Sequence, residues 1–222
     1  MPSATKLNLL EAIRTALRGV AHSGYGPADA IEDIYEAYVW TRVIEAARRL
    51  GWHVTYSAPD GSWSGTLMLR RGPGVIYSPT PFTFAVLTKP LTDPLEVHLG
   101  VMVTGRSGVA HECDVLVLPA DAAQAARDAG EHPSYRNVVL QAECKFYTGS
   151  LPLGLARGLR GLSADCSLGK AGGLVTNALR STSIGRLILH NRLYYNPRLT
   201  PGYRMEVRKL DRRLEHRLRR WS

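Results

Sequence analysis

The sequence predicts one α/β domain with a helical C-terminal extension. Three observations lead there. Stretches with period-two alternation are interleaved with stretches of helical spacing, which fits neither an all-helical nor an all-strand protein. The 222 residues are 45% hydrophobic and 21% charged, enough for one full core. No internal repeat or low-complexity tract divides the chain. The expected single domain spans residues 1–222. Its core is residues 29–195, preceded by a helix and loop (1–28) and followed by a basic helical extension (196–222).

The elements follow in order. Leu9, Leu10, Ile13 and Leu17 recur at helical spacing, so residues 5–19 form a helix that packs on the domain or on a partner. Residues 21–27 are glycine-rich and loop-like. A long helix covers residues 29–50 and stops at Gly51. Short strands are expected at 53–56, 66–69, 75–77 and 82–87, separated by proline, glycine and aspartate. Residues 95–104 and 109–118 form a hairpin around Gly105-Arg106-Ser107-Gly108. An alanine-rich helix or loop occupies 119–134. A strand at 138–147, a helix at 151–165, a strand at 173–177 and a helix at 182–195 complete the core. The tail helix, 203–221, carries Tyr203, Val207, Leu210, Leu214, Leu218 and Trp221 on one stripe. Its other faces hold eight cations against three acids, a local +5.

The net charge of +9 favours polyanionic partners, nucleic acid before membrane. No apolar run approaches the roughly 20 residues of a membrane span, and no secretory leader is evident. Cys113, Cys144 and Cys166 are odd in number and far apart. They read as buried free thiols, which suits a reducing cytoplasm rather than a disulfide or zinc framework. His111-Glu112 lacks the second histidine of a zinc-protease helix, and Gly169-Lys170 lacks the leading glycine and the following Ser/Thr of a phosphate loop. His98 and His111 are expected to be structural.

The stretch Val138–Tyr147 organises the chain. Val138, Leu140, Ala142, Cys144 and Phe146 alternate with Val139, Gln141, Glu143, Lys145 and Tyr147. Charge at the end of a core strand is costly without a partner or a metal, so Glu143 and Lys145 are the first candidates for chemistry. In the hairpin, Asp114 interrupts an apolar strand, sharing a face with Glu112 and facing away from His111, Cys113, Val115 and Val117. Where the two strands lie side by side, Asp114 and Glu143 approach each other and repel unless a cation sits between them. Carboxylates with few protein ligands suit Mg²⁺, which accepts phosphate oxygens. Lys145 is placed to orient or deprotonate water, or to neutralise developing charge. On the long helix, Glu36 lies with Trp40, Val43, Ile44 and Ala47, an apolar face where an acid needs a purpose. Glu32, one turn earlier, is the alternative.

This order of elements resembles the PD-(D/E)XK nuclease superfamily, with its restriction-endonuclease-like fold: a helix with Glu36, a hairpin delivering Asp114, a strand ending Glu143-Cys144-Lys145, a helix, then Gly173–Asn177. The resemblance covers residues 29–195 and implies a mixed central sheet flanked by helices. It implies that Asp114, Glu143 and the backbone carbonyl of Cys144 bind Mg²⁺, with Mn²⁺ as a substitute, and that Lys145 assists catalysis with Glu36 completing the site. It also places Gln141 against substrate or its water, and Arg157 and Arg160 against phosphates. Cys113 stands where the motif has proline, and the Asp114–Glu143 separation is long.

The implied function is Mg²⁺-dependent endonuclease activity on double-stranded DNA, with RNA as the second substrate class. Duplex cleavage implies a homodimer or larger oligomer. Restraint by an activating protein partner, as in genome defence, follows by analogy. The competing expectation is a nucleic-acid-binding or scaffolding module of the same fold without catalysis.

Overall fold

The computed structural model describes residues 2–23 and 25–221. Helix α1 (Pro2–Leu17) is followed by strand β1 (Ala21–Ser23) and the long helix α2 (Ile31–Arg49). Strands β2 (His53–Ser57), β3 (Thr66–Met68), β4 (Phe84–Lys89), β5 (Thr92–Thr104) and β6 (Ala110–Pro119) come next. Helix α3 (Ala120–Ala129) leads to β7 (Leu140–Lys145), α4 (Leu153–Asp165), β8 (Gly172–Thr176), α5 (Thr182–His190), β9 (Tyr194–Asn196) and α6 (Arg204–Arg219).

Seven strands form one mixed sheet in the order β2-β4-β5-β6-β7-β8-β9. Neighbours from β2 to β7 are antiparallel, and β7, β8 and β9 are parallel. Parallel neighbours require crossovers, and α4 and α5 supply them. The chain is therefore α/β with a mixed central sheet between helical layers. Helices α1, α2 and α6 cover one face, and α3, α4 and α5 the other.

Helix α2 is buried nearly all round because it lies between the sheet and two other helices. Leu9, Ile13 and Leu17 of α1 and Leu210, Leu214 and Leu218 of α6 share its core cluster. Trp40 Nε1 donates to Val97 O at 3.0 Å, and the Tyr35 hydroxyl donates to Leu199 O at 3.1 Å, which fixes the helix over the sheet. Gly51, at φ +80°, ends it in the left-handed conformation that glycine adopts without strain. Both terminal helices thus dock within the chain. The apolar stripe of α6 meets α2, while Tyr203 lies outside the stripe, half exposed beneath the Arg198 guanidinium.

Four expectations change. Residues 75–77 are not a strand; Gly74 makes a single bridge to Val101. Residues 21–23 are not loop but pair with β3 in a separate two-stranded parallel sheet. The segment 182–195 is not one helix: α5 stops at His190, the chain turns through Arg192 at φ +60°, and Tyr194–Asn196 forms the last strand. Cys113 does not pack with Val115 and Val117. Those two join the α2 core, whereas Cys113 joins Leu116 and Leu118 under α3, so the alternation of β6 breaks at Asp114. All three cysteines are buried and free. Among the described residues, no helix is long and apolar enough to cross a membrane.

Candidate active site

The site begins with a fork in the sheet. Pairing between β6 and β7 stops at Val115–Ala142, and Asp114 and Glu143 are the next residues on either side. Opposite, in β5, Gly100 takes φ +55°. A Cβ there would lie 2.8 Å from the carbonyl oxygen of Gly72, so only glycine lets the 72–74 loop cross this strand. Gly74 N donates to Gly100 O at 2.8 Å, and Met102 N donates to Gly74 O at 3.1 Å. The kink reaims Asp114 into the gap between β6 and β7. There its Oδ2 accepts from the Cys144 backbone N–H at 2.7 Å.

At the end of β7 the Lys145 ammonium closes the gap. Its Nζ lies 3.1 Å from Asp114 Oδ2 and 2.8 Å from Glu143 Oε1. One cationic atom therefore bridges the two acids. Just beyond, Asn177 holds the departing chain by two bonds: Tyr147 N donates to its Oδ1 at 2.7 Å, and its Nδ2 donates to Tyr147 O at 2.8 Å. The β7 terminus, and Lys145 with it, is thereby tied to the end of β8.

Acids outnumber the single lysine. Glu36 of α2 has its carboxyl pushed up to about 8, first by burial, then by the Asp114 charge. Burial, then Asp114, likewise raises Glu143 and Glu112. Burial alone would pull Lys145 down, but Asp114 and Glu143 outweigh it and hold the ammonium well above its ordinary value. Lys145 is thus a fixed cation while both carboxylates face it, and not a base. Glu36, Glu32, Cys144 and Lys145 line a cleft of about 390 Å³ together with Phe146 and Tyr147. Both helix acids line the cleft, and the Asp114 and Lys145 charges act on Glu36.

The structure brings Asp114, Glu143, Lys145, Cys144 and Glu36 together. Gln141 lies one alternation before Glu143. Its Nε2 points toward Glu143 Oε2 at 3.5 Å, and its buried Oε1 has no hydrogen-bond partner. Arg157 and Arg160 are not in this cleft: both are exposed on α4, and Arg157 lines an open groove with Ser183, Arg186 and His190. His98 and His111 each meet a carboxylate instead, Glu96 at 2.9 Å and Asp165 at 2.7 Å. The Asp165 contact, shared with Ser107, fastens the β5–β6 turn to the end of α4. Glu112 alternates in step with Asp114 on β6 but lies toward its polar, turn-proximal end, so the apolar context that marks Asp114 is weaker there.

Among the described residues, no three His, Cys, Asp or Glu side chains converge closely enough to form a metal cage by themselves. Mg²⁺ needs no such cage: it is held by one or two carboxylates and keeps several waters. The donor set here is all oxygen, it carries more negative charge than Lys145 balances, and Gln141 Oε1 lacks a partner. These residues fit a hard divalent cation. Comparison with family models, curated proteins and solved structures returns no match.

Proposed function

We propose that the protein is a Mg²⁺-dependent phosphodiesterase that cuts nucleic acid, double-stranded DNA foremost, on a restriction-endonuclease-like fold. The observation that carries this reading is the bridging of Asp114 and Glu143 by Lys145 at the β6–β7 fork, with further acids crowding the same point. Asp114, Glu143 and the Cys144 carbonyl would hold Mg²⁺, with Mn²⁺ as a substitute. The bound ion supplies positive charge for a phosphate oxygen and makes water more acidic.

The chain's own residues do the rest. Displaced from between the carboxylates, the Lys145 ammonium faces the scissile phosphate and offsets charge that builds on it. Burial and the Asp114 charge let Glu36 keep a proton near neutrality, and a cation held beside it would favour release of that proton. Gln141 offers its unpartnered Oε1 to water beside Glu143. The +9 net charge draws the polyanion in. Cutting both strands takes two such sites, so the proposed active form is a homo-oligomer, restrained until a partner or trigger releases it.

The test is cleavage of supercoiled plasmid with Mg²⁺ or Mn²⁺ by wild type, Asp114→Ala and Lys145→Ala. Each variant should lose at least about a hundredfold in rate. Equal cleavage by all three overturns the assignment. Cutting of RNA alone moves the substrate to the ribonuclease class. Duplex binding without cleavage in either metal favours the binding module of the same fold.

A further inference from the structure

A second site lies at the other end of the parallel strands. Where α6 crosses the sheet it leaves a cavity of about 320 Å³, within the roughly 300–1,000 Å³ range of small-ligand pockets. Leu140 opens β7, Lys170 precedes β8, and Arg192 to Tyr194 lead into β9, so the cavity sits where these strands begin. The acid cleft sits where β7 ends. Leu140 and Lys145 are separated by roughly 17 Å along that strand, at ~3.3 Å per residue.

The charges around this cavity have one sign. Lys170, Arg192, Arg212, Arg213, Arg217 and Arg220 line it with His216, and no carboxylate does. Among the described residues none of these six cations belongs to an ion pair, because the acids of α6 are used elsewhere. Asp211 holds Arg42 and Arg49, Glu215 holds Arg49, and Glu206 holds Lys209. Helix α6 is thus divided: Asp211 and Glu215 point to α2, Glu206 pairs within the helix, and Arg212, Arg213, Arg217 and Arg220 line the cavity. Arg217 is fixed by donating to Val139 O at 2.6 Å, and burial followed by the nearby Arg220 holds it below the usual arginine value. Like charges gathered on one concavity repel one another, which an anion would relieve.

The apolar residues beneath these charges are nearly closed off. Leu140, Leu193 and Leu214 are 1–2% exposed and Tyr194 is 9% exposed, with the Arg213 guanidinium 5.9 Å above its ring. What the cavity presents is therefore its arginines, which suit bidentate phosphate contact. A duplex backbone is too broad to enter a cavity of this size.

From this we infer that the cavity between α6 and the start of strands β7–β9 is a binding site for a small free polyphosphate, inorganic or carried by a nucleotide, held among the six cations. The site is separate from the acid cleft, and the inference does not depend on what that cleft does.

Titration calorimetry on the full chain at low salt tests this with ATP, GTP, inorganic pyrophosphate and a short DNA duplex as probes. One variant reverses two lining cations (Lys170→Glu with Arg212→Glu). A control makes the same charge change on α6 outside the cavity (Arg204→Glu with Arg208→Glu). All four side chains are exposed, and thermal melts check that both variants fold. We expect saturable binding of pyrophosphate, ATP and GTP, weakened at least about tenfold in the cavity variant and nearly unchanged in the control. No saturable binding of any of the three overturns the inference, as does equal weakening in both variants, which would reduce the patch to diffuse charge. Nucleotide binding without pyrophosphate binding overturns recognition through the phosphates. Duplex binding that alone depends on Lys170 and Arg212 replaces it with a nucleic-acid surface.

Discussion

Substituting Glu36 by Gln should make the metal-free protein more stable at high pH and leave it unchanged at low pH. The carboxyl of Glu36 sits near 8 in the folded chain against an ordinary 4.5. Between those values the folded state keeps a proton that the unfolded chain has released. Stability therefore falls as pH rises through that window. Each pH step costs roughly 1.4 kcal/mol, and partial solvent access with sharing of the proton among Glu143 and Glu112 reduces the total to on the order of 3 kcal/mol. The assay is urea unfolding in EDTA at pH 5, 7 and 9. Wild type and Glu36→Gln should agree at pH 5, and the variant should be the more stable by about 3 kcal/mol at pH 9. Added Mg²⁺ should narrow that gap by stabilising the wild type, since a ligand bound only to the folded state raises its stability. Parallel pH profiles for the two proteins would refute the claim that Glu36 is crowded by the Asp114 charge.

Two further perturbations probe the frame that holds the site. Arg127 grips Glu96 with both terminal nitrogens, at 2.7 and 2.8 Å, beside the fully buried His98. Arg127→Met strands that acid and should cost about 3–5 kcal/mol in urea unfolding, with the double change Glu96→Met/Arg127→Met costing less; equal losses would show that the pair carries no such penalty. Gly100→Ala places a methyl against the Gly72 carbonyl at positive φ and should lower stability by about 1–3 kcal/mol and weaken cation binding together. A variant that melts like wild type would mean the 72–74 loop does not shape the fork.

Much of the frame was legible in the sequence because it obeys local periodicity. Helix α2, the β5–β6 hairpin and β7 announce themselves through spacing, and Gly51 and Gly105–Gly108 through turn chemistry. The site residues on β7 were legible for the same reason: polar side chains recur on alternate positions of an otherwise apolar strand. What periodicity hides is tertiary. The break in alternation at Asp114 depends on a loop bonding to Gly100, some distance away in the chain. Strand β9 is three residues long, and the helical pattern before it runs on past the turn at Arg192. The cavity under α6 joins Lys170, Arg192 and the tail arginines, which no local window relates. The leucine stripe of the tail states that something covers it without saying what, and only the fold shows that α2 does.

The proposed chemistry requires Asp114 and Glu143 to share a divalent cation. Titration of Mn²⁺ into metal-free protein, followed by electron paramagnetic resonance, measures this directly. Wild type should show a saturable site that Mg²⁺ displaces, with affinity reduced at least about tenfold in both Asp114→Asn and Glu143→Gln. Identical Mn²⁺ binding by all three proteins, or none by the folded wild type at millimolar metal, would contradict it.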